Sequence, residues 1–236
     1  MPRNYNELEE KIGYKFSDAK NLITALTHSS YANEMRAKKK YAECNERLEF
    51  LGDSVLSIIV SEYLFEQYAR RPEGELTKLR AALVQSSALA SYANQIELGE
   101  YLYLGVGEEK NDGRNRQSNL ENAFEALLAA IYIDSRGEGK PIVKKFLMPF
   151  IIAEIEKIDN TGLHRDYKTE LQQLIQQAEG DYLEYATVDE TGPDHKKTFT
   201  VEARLNSNVI GKGMGKTKRE AEQNAARGAL ELFGKE

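Results

Sequence analysis

The chain has 236 residues, 41% hydrophobic and 30% charged, which is ordinary for a globular protein and excludes a disordered or fibrous one. One cysteine excludes an intramolecular disulfide framework and a cysteine-rich zinc site, and three widely spaced histidines argue against a histidine-based metal site. No apolar run approaches the roughly 20 residues of a membrane span. The net charge of −6 argues against a generally basic nucleic-acid binder, so any nucleic-acid site must be a local patch. Since the first residues contain no signal-peptide core, we expect a soluble, cytoplasmic protein with no membrane partner.

Residues 1–158 are predicted to be almost entirely helical, because apolar residues recur at spacings of three and four while Pro and Gly are sparse. The expected helices are 5–11, 18–27, 43–69, 74–97 with a break near Ser86–Ser87, 118–135 and 142–157. Arg71-Pro72 should end the long third helix, since the residue before a proline avoids helical backbone angles. The polar, glycine-bearing stretch 105–117 is expected to be a loop.

The pattern changes after a predicted linker at 159–165. In residues 166–236 the expected elements are a helix over about 167–178, strands at 182–188 and 198–205, a third strand including Asn208–Ile210, and a helix that the capping box Thr217–Glu220 opens. The expected fold is therefore an all-α domain followed by a small α+β domain with the order α-β-β-β-α.

The third helix carries three acids on one face. Glu46, Glu49 and Asp53 fall within roughly 60° of one another on a helical wheel. The apolar face expected opposite them consists of Leu48, Leu51, Val55, Ile58 and Ile59. Clustered like charges repel unless a cation neutralises them, and carboxylate oxygens suit Mg²⁺ or Mn²⁺. The alternative is an ordinary solvated face of an amphipathic helix.

A second helix, 118–135, carries Asn122 and Glu125 at i and i+3, opposite an apolar face that includes Phe124 and Leu127. Side by side, the two helices would form one acidic pocket. The alternative is that Asn122 and Glu125 belong to an ordinary surface.

Phe50 lies nearer to the acids than to the apolar face of the third helix. It is either a core residue of a heavily buried helix or an aromatic residue that fills a socket on a second subunit. The residues favour neither interpretation over the other.

The stretch NERLEFLGDS at 45–54 resembles the signature of the ribonuclease III family. The resemblance extends to ALTHSS at 25–30, EGELTKLRAALV at 73–84 and FEALLAAIYIDS at 124–135. DYKTELQQLIQ at 166–176, GPDH at 192–195 and KTKREAEQNAA at 216–226 resemble a double-stranded-RNA-binding domain. Together these matches imply a dimerising endonuclease domain over 1–158 and a tethered RNA-binding domain over 166–236. The implied activity is Mg²⁺-dependent hydrolysis of double-stranded RNA to 5′-phosphate and 3′-hydroxyl ends.

The resemblance also implies roles for individual residues. Glu49, Asp53 and Glu125 match the family's metal-binding acids, and Asp53 and Glu125 are the expected catalytic pair. Further matches are Glu46 and Glu73, for acids that line the cleavage valley, and Phe50, for the aromatic residue that plugs the partner in a homodimer.

Asn122 departs from the family pattern, because an aspartate is usual at this position. An amide oxygen can ligate Mg²⁺ but brings no negative charge and cannot act as a base. Glu121 projects roughly 100° from Asn122 and does not obviously replace it, although it is an i, i+4 neighbour of Glu125. We expect weaker metal binding and slow cleavage, whether the chain is naturally impaired or retuned or carries a deliberate substitution.

The RNA-binding domain offers two kinds of contact. Uncharged side chains on its first helix can reach 2′-hydroxyls across the wide minor groove, and cations at a helix N-terminus suit phosphates. The residues expected to contact RNA are Thr169, Gln172, Gln173 and Gln176 on the first helix, His195 in the GPDH turn, and Lys216, Lys218 and Arg219 at the start of the last helix. The alternative for the basic residues is a plain solvated loop.

Three functions remain open from the sequence. The first is an endoribonuclease that matures ribosomal, messenger, transfer and other structured RNAs. The second is a protein that binds duplex RNA with little or no cleavage, because Asn122 impairs the metal site. The third is a helical protein-interaction module whose acids are only solvated surface.

Overall fold

The computed structural model describes residues 4–160, 167–175, 181–193 and 197–234. The chain packs as two compact units, Met1–Gly162 and Leu163–Glu236. The described residues of the first unit are almost entirely helical, and those of the second form a three-stranded sheet with two helices. Within these ranges no helix is both long enough and apolar enough to cross a membrane.

The first unit surrounds one central helix with helices of unequal length. They are α1 (Tyr5–Ile12), α2 (Ala19–Ala25), α3 (Ser29–Ala37), α4 (Glu46–Gln67), α5 (Glu73–Val84), α6 (Ser86–Gln95), α7 (Val106–Lys110), α8 (Gln117–Asp134) and α9 (Gly139–Asn160). A 3₁₀ turn, Leu98–Tyr101, lies between α6 and α7. Helix α9 extends two residues into the predicted linker 159–165, and the rest of that linker lies outside the described residues.

The long helices have the predicted type, and the differences lie at their ends. Helix α4 ends at Gln67, so the prediction that Arg71-Pro72 ends it is wrong; Pro72 instead precedes α5. The predicted helix 74–97 is divided at Gln85, whose extended backbone (ψ 153°) stops α5 and lets α6 begin. The break therefore falls one residue before the predicted pair of serines.

Two short helices, α3 and α7, were not predicted, and α7 interrupts the predicted loop 105–117. The Nδ1 atom of His28 accepts a hydrogen bond from the Ser30 amide at 3.3 Å and caps α3. Glu34 on α3 accepts a hydrogen bond from the Val106 amide, 2.5 Å away, at the start of α7. Each short helix is thus stabilised by contacts outside its own sequence, which periodicity cannot reveal.

Helix α8 is the centre of the first unit, because every residue from Ala123 to Ile131 is buried. Burial therefore extends all the way around α8 over these residues, beyond the single apolar face that was predicted. Helix α4 crosses α8 at Gly52, where a Cβ atom would lie 1.9 Å from the carbonyl oxygen of Glu125. No side chain fits between the two backbones at this point.

The buried face of α4 lies closer to the acids than predicted. Gly52, Leu56 and Val60 are buried, whereas Ile58, predicted on the apolar face, is 55% exposed. The reason is that α8 contacts α4 at Gly52, so the contact is centred on that residue and not on the most apolar stripe.

The second unit has the predicted order of elements. They are α10 (Tyr167–Ile175), β1 (Leu183–Thr191), β2 (Thr198–Leu205), β3 (Asn208–Gly215) and α11 (Lys218–Leu232). The strands are antiparallel in the order β1-β2-β3. Helix α11 rests directly on β3, since a Cβ atom at Gly213 would lie 2.2 Å from the amide nitrogen of Ala225.

Candidate active site

Helices α4 and α8 bring Glu49 and Asp53 of α4 together with Glu125 of α8 in what we call the acidic pocket. Glu49 and Asp53 lie one turn apart on α4, and the backbone of Glu125 on α8 touches Gly52, the residue before Asp53. Asp53 is exposed and Glu49 is half-buried, whereas only 9% of Glu125 is exposed. The close approach of two helices, set by one glycine, therefore buries an acid beside two others.

The carboxylates of the acidic pocket disfavour one another's ionised forms. Burial, and after it the charges of Asp53, Glu121 and Glu49, raises the pKa of Glu125 to about 8. Burial also raises the pKa of Glu49, with further contributions from Glu46 and Glu121. Like charges in a half-buried site have this effect, and a bound cation reverses it.

The pocket has the donor chemistry of a site for a hard divalent cation. Among the described residues, the carboxylate of Glu125 forms neither a hydrogen bond nor an ion pair, although it is buried. A buried carboxylate without such a partner is destabilising, and oxygen ligands of this type are the ones that Mg²⁺ and Mn²⁺ prefer. In the same ranges no three His, Cys, Asp or Glu side chains lie close enough together to hold a metal ion.

Asn122 and Glu121 lie on α8 one turn before Glu125, and both are half-buried. The Oγ atom of Ser86, the first residue of α6, donates a hydrogen bond to Oε1 of Glu121 at 2.8 Å. The charge of Glu121 raises the pKa of both Glu49 and Glu125, so this carboxylate belongs to the acidic pocket. Sequence reasoning set Glu121 aside; its i, i+4 spacing from Glu125 was the signal that favoured including it.

Glu73 does not join the acidic pocket within one chain. It is the first residue of α5, is exposed, and accepts a hydrogen bond from the Thr77 hydroxyl at 2.7 Å. It lines a separate groove of about 360 Å³ together with Phe65 and Arg80. Its charge does not contribute to the raised pKa of Glu49 or of Glu125.

Phe50 is 79% exposed, so the interpretation of this residue as core is wrong. With Glu46, Leu51 and Ile133 it lines a cavity of about 690 Å³ beside α2. Further along α4, Ile58 and Phe65 are 55% and 74% exposed. An exposed apolar stripe of this kind is typical of a protein–protein interface.

The predicted RNA contacts that the structure describes lie on α10 and at the start of α11. Gln172 and Gln173 are exposed on α10, and Thr169 on the same helix is half-buried. Gln176 and His195 lie outside the described residues.

The predicted N-cap of α11, Thr217, is confirmed, but the Glu220 side chain bonds to the Lys216 amide and not to the Thr217 amide of a full capping box. Thr217 Oγ1 accepts a hydrogen bond from the Glu220 amide at 3.1 Å, and Glu220 accepts one from the Lys216 amide at 2.7 Å. Lys216, Lys218 and Arg219 are exposed around this N-terminus.

Lys218 already has partners within the second unit. Its Nζ atom lies 2.9 Å from Oε1 of Glu190 on β1 and 5.5 Å from the ring centroid of Phe199 on β2. These contacts hold the cation beside the capped helix end, on the outside of the unit. A phosphate approaching Lys218 must compete with the Glu190 carboxylate.

Comparison with known proteins gives matches over both units. The family model described as Ribonuclease-III-like matches residues 18–155, and the one described as double-stranded RNA binding motif matches residues 167–232. Proteins named Ribonuclease 3 are similar over nearly the full length of both chains. The one from Desulforamulus reducens is 47% identical over 98% of this chain and 93% of its own, and the one from Natranaerobius thermophilus is 44% identical over 99% and 98%. The solved nuclease domain of ribonuclease III from Campylobacter jejuni is 40% identical, with a TM-score of 0.57, over 64% of this chain and 98% of its own.

Proposed function

The chain belongs to the ribonuclease III family and is an endoribonuclease of that type, and we propose that it cleaves both strands of duplex RNA with Mg²⁺ as its cofactor. The products are 5′-phosphate and 3′-hydroxyl ends. The observation that carries the proposal is the buried, unpaired carboxylate of Glu125 beside Asp53 and Glu49. The proposed domains are 1–158 for cleavage and dimerisation and 166–236 for RNA binding.

Glu49, Asp53, Asn122 and Glu125 would hold Mg²⁺, for which Mn²⁺ is a plausible substitute. When bound, the metal activates the attacking water and offsets charge on the leaving 3′-oxygen. Asp53, the exposed member of the set, orients the attacking water and accepts its proton. Glu125, whose backbone is held against Gly52, supplies the innermost carboxylate of the site. Glu46 and Glu73 are auxiliary acids at the edge of the cleavage valley.

The second domain supplies duplex recognition. Thr169, Gln172, Gln173 and Gln176 on the first helix, with His195, contact the minor groove, and Lys216, Lys218 and Arg219 contact phosphates. Such contacts recognise the A-form shape of RNA more than its sequence. Substrates are therefore set by duplex length and helix defects, as in precursors of ribosomal, messenger and transfer RNA in the cytoplasm.

A homodimer is the proposed assembly, with Phe50 of each subunit in the cavity beside α2 of the other. The proposal is supported by the exposed apolar stripe on α4. The related nuclease domain from Campylobacter jejuni is described as having structural flexibility in a region involved in dimer formation. Two active sites on one duplex would explain cleavage of both strands.

The competing function is duplex binding with little cleavage, which Asn122 favours because an amide adds no negative charge to the pocket. Cleavage of a long, perfect RNA duplex separates the two. The chain and its Asn122→Asp variant are compared in Mg²⁺ and in chelator, with duplex binding measured in parallel.

We expect the unmodified chain to bind the duplex and to cut it only in Mg²⁺, leaving ends that accept 3′ ligation and carry a 5′-phosphate. Binding without cutting, together with cutting by Asn122→Asp, would establish the binding protein instead. Failure of both proteins to bind the duplex would refute duplex recognition altogether.

A further inference from the structure

We propose that Glu121 is a fourth anionic group of the acidic pocket, positioned by Ser86, and that it supplies toward the bound cation the negative charge that Asn122 does not. The inference rests on the proposed Mg²⁺ site and names a residue that sequence reasoning had set aside. Its consequence is that Asn122 impairs the site less than its missing charge alone suggests.

The first support is the position of Glu121 on α8. It precedes Glu125 by four residues, so the two side chains lie on neighbouring turns of the same helix. Glu121 is half-buried and therefore does not extend freely into solvent. Asn122, one residue further, projects about 100° away, so the two side chains approach the pocket from different sides.

The second support is the hydrogen bond from Ser86. Its Oγ atom donates to Oε1 of Glu121 at 2.8 Å, whereas Oε2 has no hydrogen bond to a described residue. Ser86 is itself fixed, because it begins α6 immediately after the extended Gln85, and α6 is anchored by buried Ala88 and Leu89. One carboxylate oxygen is thus held by the fold while the other remains available to a ligand.

The third support is the balance of charge in the pocket. With Glu121 the pocket contains four carboxylates, the others being Glu49, Asp53 and Glu125, and an aspartate at 122 would add a fifth to groups that already repel one another.

A double-mutant cycle on the full chain tests the inference by Mn²⁺ binding alone, measured by titration calorimetry without RNA. The proteins are the unmodified chain, Glu121→Gln, Asn122→Asp and the double variant. We expect Glu121→Gln to weaken Mn²⁺ binding at least about ten-fold. Asn122→Asp should gain about three-fold or less in the unmodified chain but at least about ten-fold in the Glu121→Gln background, because the two carboxylates substitute for each other.

Ser86→Ala provides a second, milder variant that keeps all charges. We expect it to weaken Mn²⁺ binding about three-fold, and Ser86→Thr to restore it, because the threonine hydroxyl can donate the same hydrogen bond. Glu156→Gln on the exposed side of α9 removes the same charge away from the pocket and should leave Mn²⁺ binding unchanged.

The inference is overturned if Glu121→Gln leaves Mn²⁺ affinity unchanged, or if Asn122→Asp raises it by the same factor in both backgrounds. Glu125→Gln separates this failure from failure of the proposed function. If Glu125→Gln abolishes Mn²⁺ binding while Glu121→Gln does not affect it, only the inference about Glu121 is wrong. If neither variant affects binding, the metal pocket and the inference are both wrong.

Discussion

Helix α8 buries Glu125 in its middle and Asp134 at its end, with 9% and 5% of these residues exposed. Asp134 accepts hydrogen bonds from the Ser17 and Asp18 amides at 2.7 and 2.9 Å, and from the side chains of Tyr14 and Asn21 at 2.8 and 3.0 Å. Glu125 has no such donor among the described residues.

The pKa values of the two acids move in opposite directions. Burial on its own raises the pKa of Asp134, but the four hydrogen bonds outweigh it and the net result is a lowered pKa. Burial, with the neighbouring acids adding to it, raises the pKa of Glu125 to about 8. Burial alone therefore does not set the direction of a carboxylate's pKa shift: the fold supplies hydrogen-bond donors to Asp134 and, among the described residues, none to Glu125.

The largest effect is expected for Glu125→Gln. Cleavage of duplex RNA in Mg²⁺ should fall at least about 100-fold, because a charged ligand of the metal is lost. The free energy of unfolding without metal should rise by about 1 kcal/mol at neutral pH, because folding raises the pKa of Glu125 to about 8 and the neutral amide avoids the free-energy cost of that shift. Chemical denaturation and a single-turnover cleavage assay measure the two quantities. Full cleavage by this variant would remove Glu125 from the site.

Gly52→Ala tests whether the helix contact sets the pocket. Its Cβ atom would overlap the carbonyl oxygen of Glu125, so α4 and α8 must separate, and we expect a loss of about 3 kcal/mol in the free energy of unfolding. Gly74→Ala is the matched control, since a Cβ atom there meets nothing within 4 Å. The control should be neutral or stabilising by up to about 1 kcal/mol. Equal stability of the two variants would contradict the described contact.

Asp134→Asn should lower the free energy of unfolding by about 2 kcal/mol at neutral pH, because an amide turns a donor toward atoms that are themselves donors. Cleavage per folded molecule should be unchanged. Since folding lowers the pKa of Asp134 below its ordinary value of 3.8, its stabilisation is fully present above that value and is lost as the pH falls through the folded-state pKa. The difference from the unmodified chain should therefore shrink in acid. A difference that grows in acid would mean that the hydrogen bonds do not favour the ionised form.

Glu190→Gln extends the comparison to an acid that is exposed and paired. It frees Lys218 for phosphates, so duplex RNA should bind about two- to five-fold more tightly at low salt, with a steeper salt dependence. Asp189→Asn, next to it on β1, removes the same charge without freeing Lys218. An equal gain in both variants would indicate a general charge effect and no competition for Lys218.

Sequence reasoning predicted the helices in which apolar or acidic residues recur at regular spacings along the chain. The spacing of apolar residues predicted α4 and α8, and the spacing of acids on α4 placed Glu46, Glu49 and Asp53 on one face. The family resemblance then assigned metal binding to Glu49 and Asp53. Sequence reasoning did not predict the network at Asp134, because its donors lie more than a hundred positions away. It set Glu121 aside because this side chain projects roughly 100° from Asn122, and it could not predict the hydrogen bond from Ser86, which is on another helix.

The contact at Gly52 also fixes the distance between two helices. With no side chain between the two main chains, the spacing between the α4 and α8 backbones beside Asp53 and Glu125 cannot be adjusted by a change of rotamer. It changes only if one helix slides past the other, which disturbs the buried residues around α8. The tolerance of the proposed metal site for cations of different radius would thus be set by the stiffness of the whole helical unit. Variants far from the acids that loosen α8 would be expected to broaden the choice of metal.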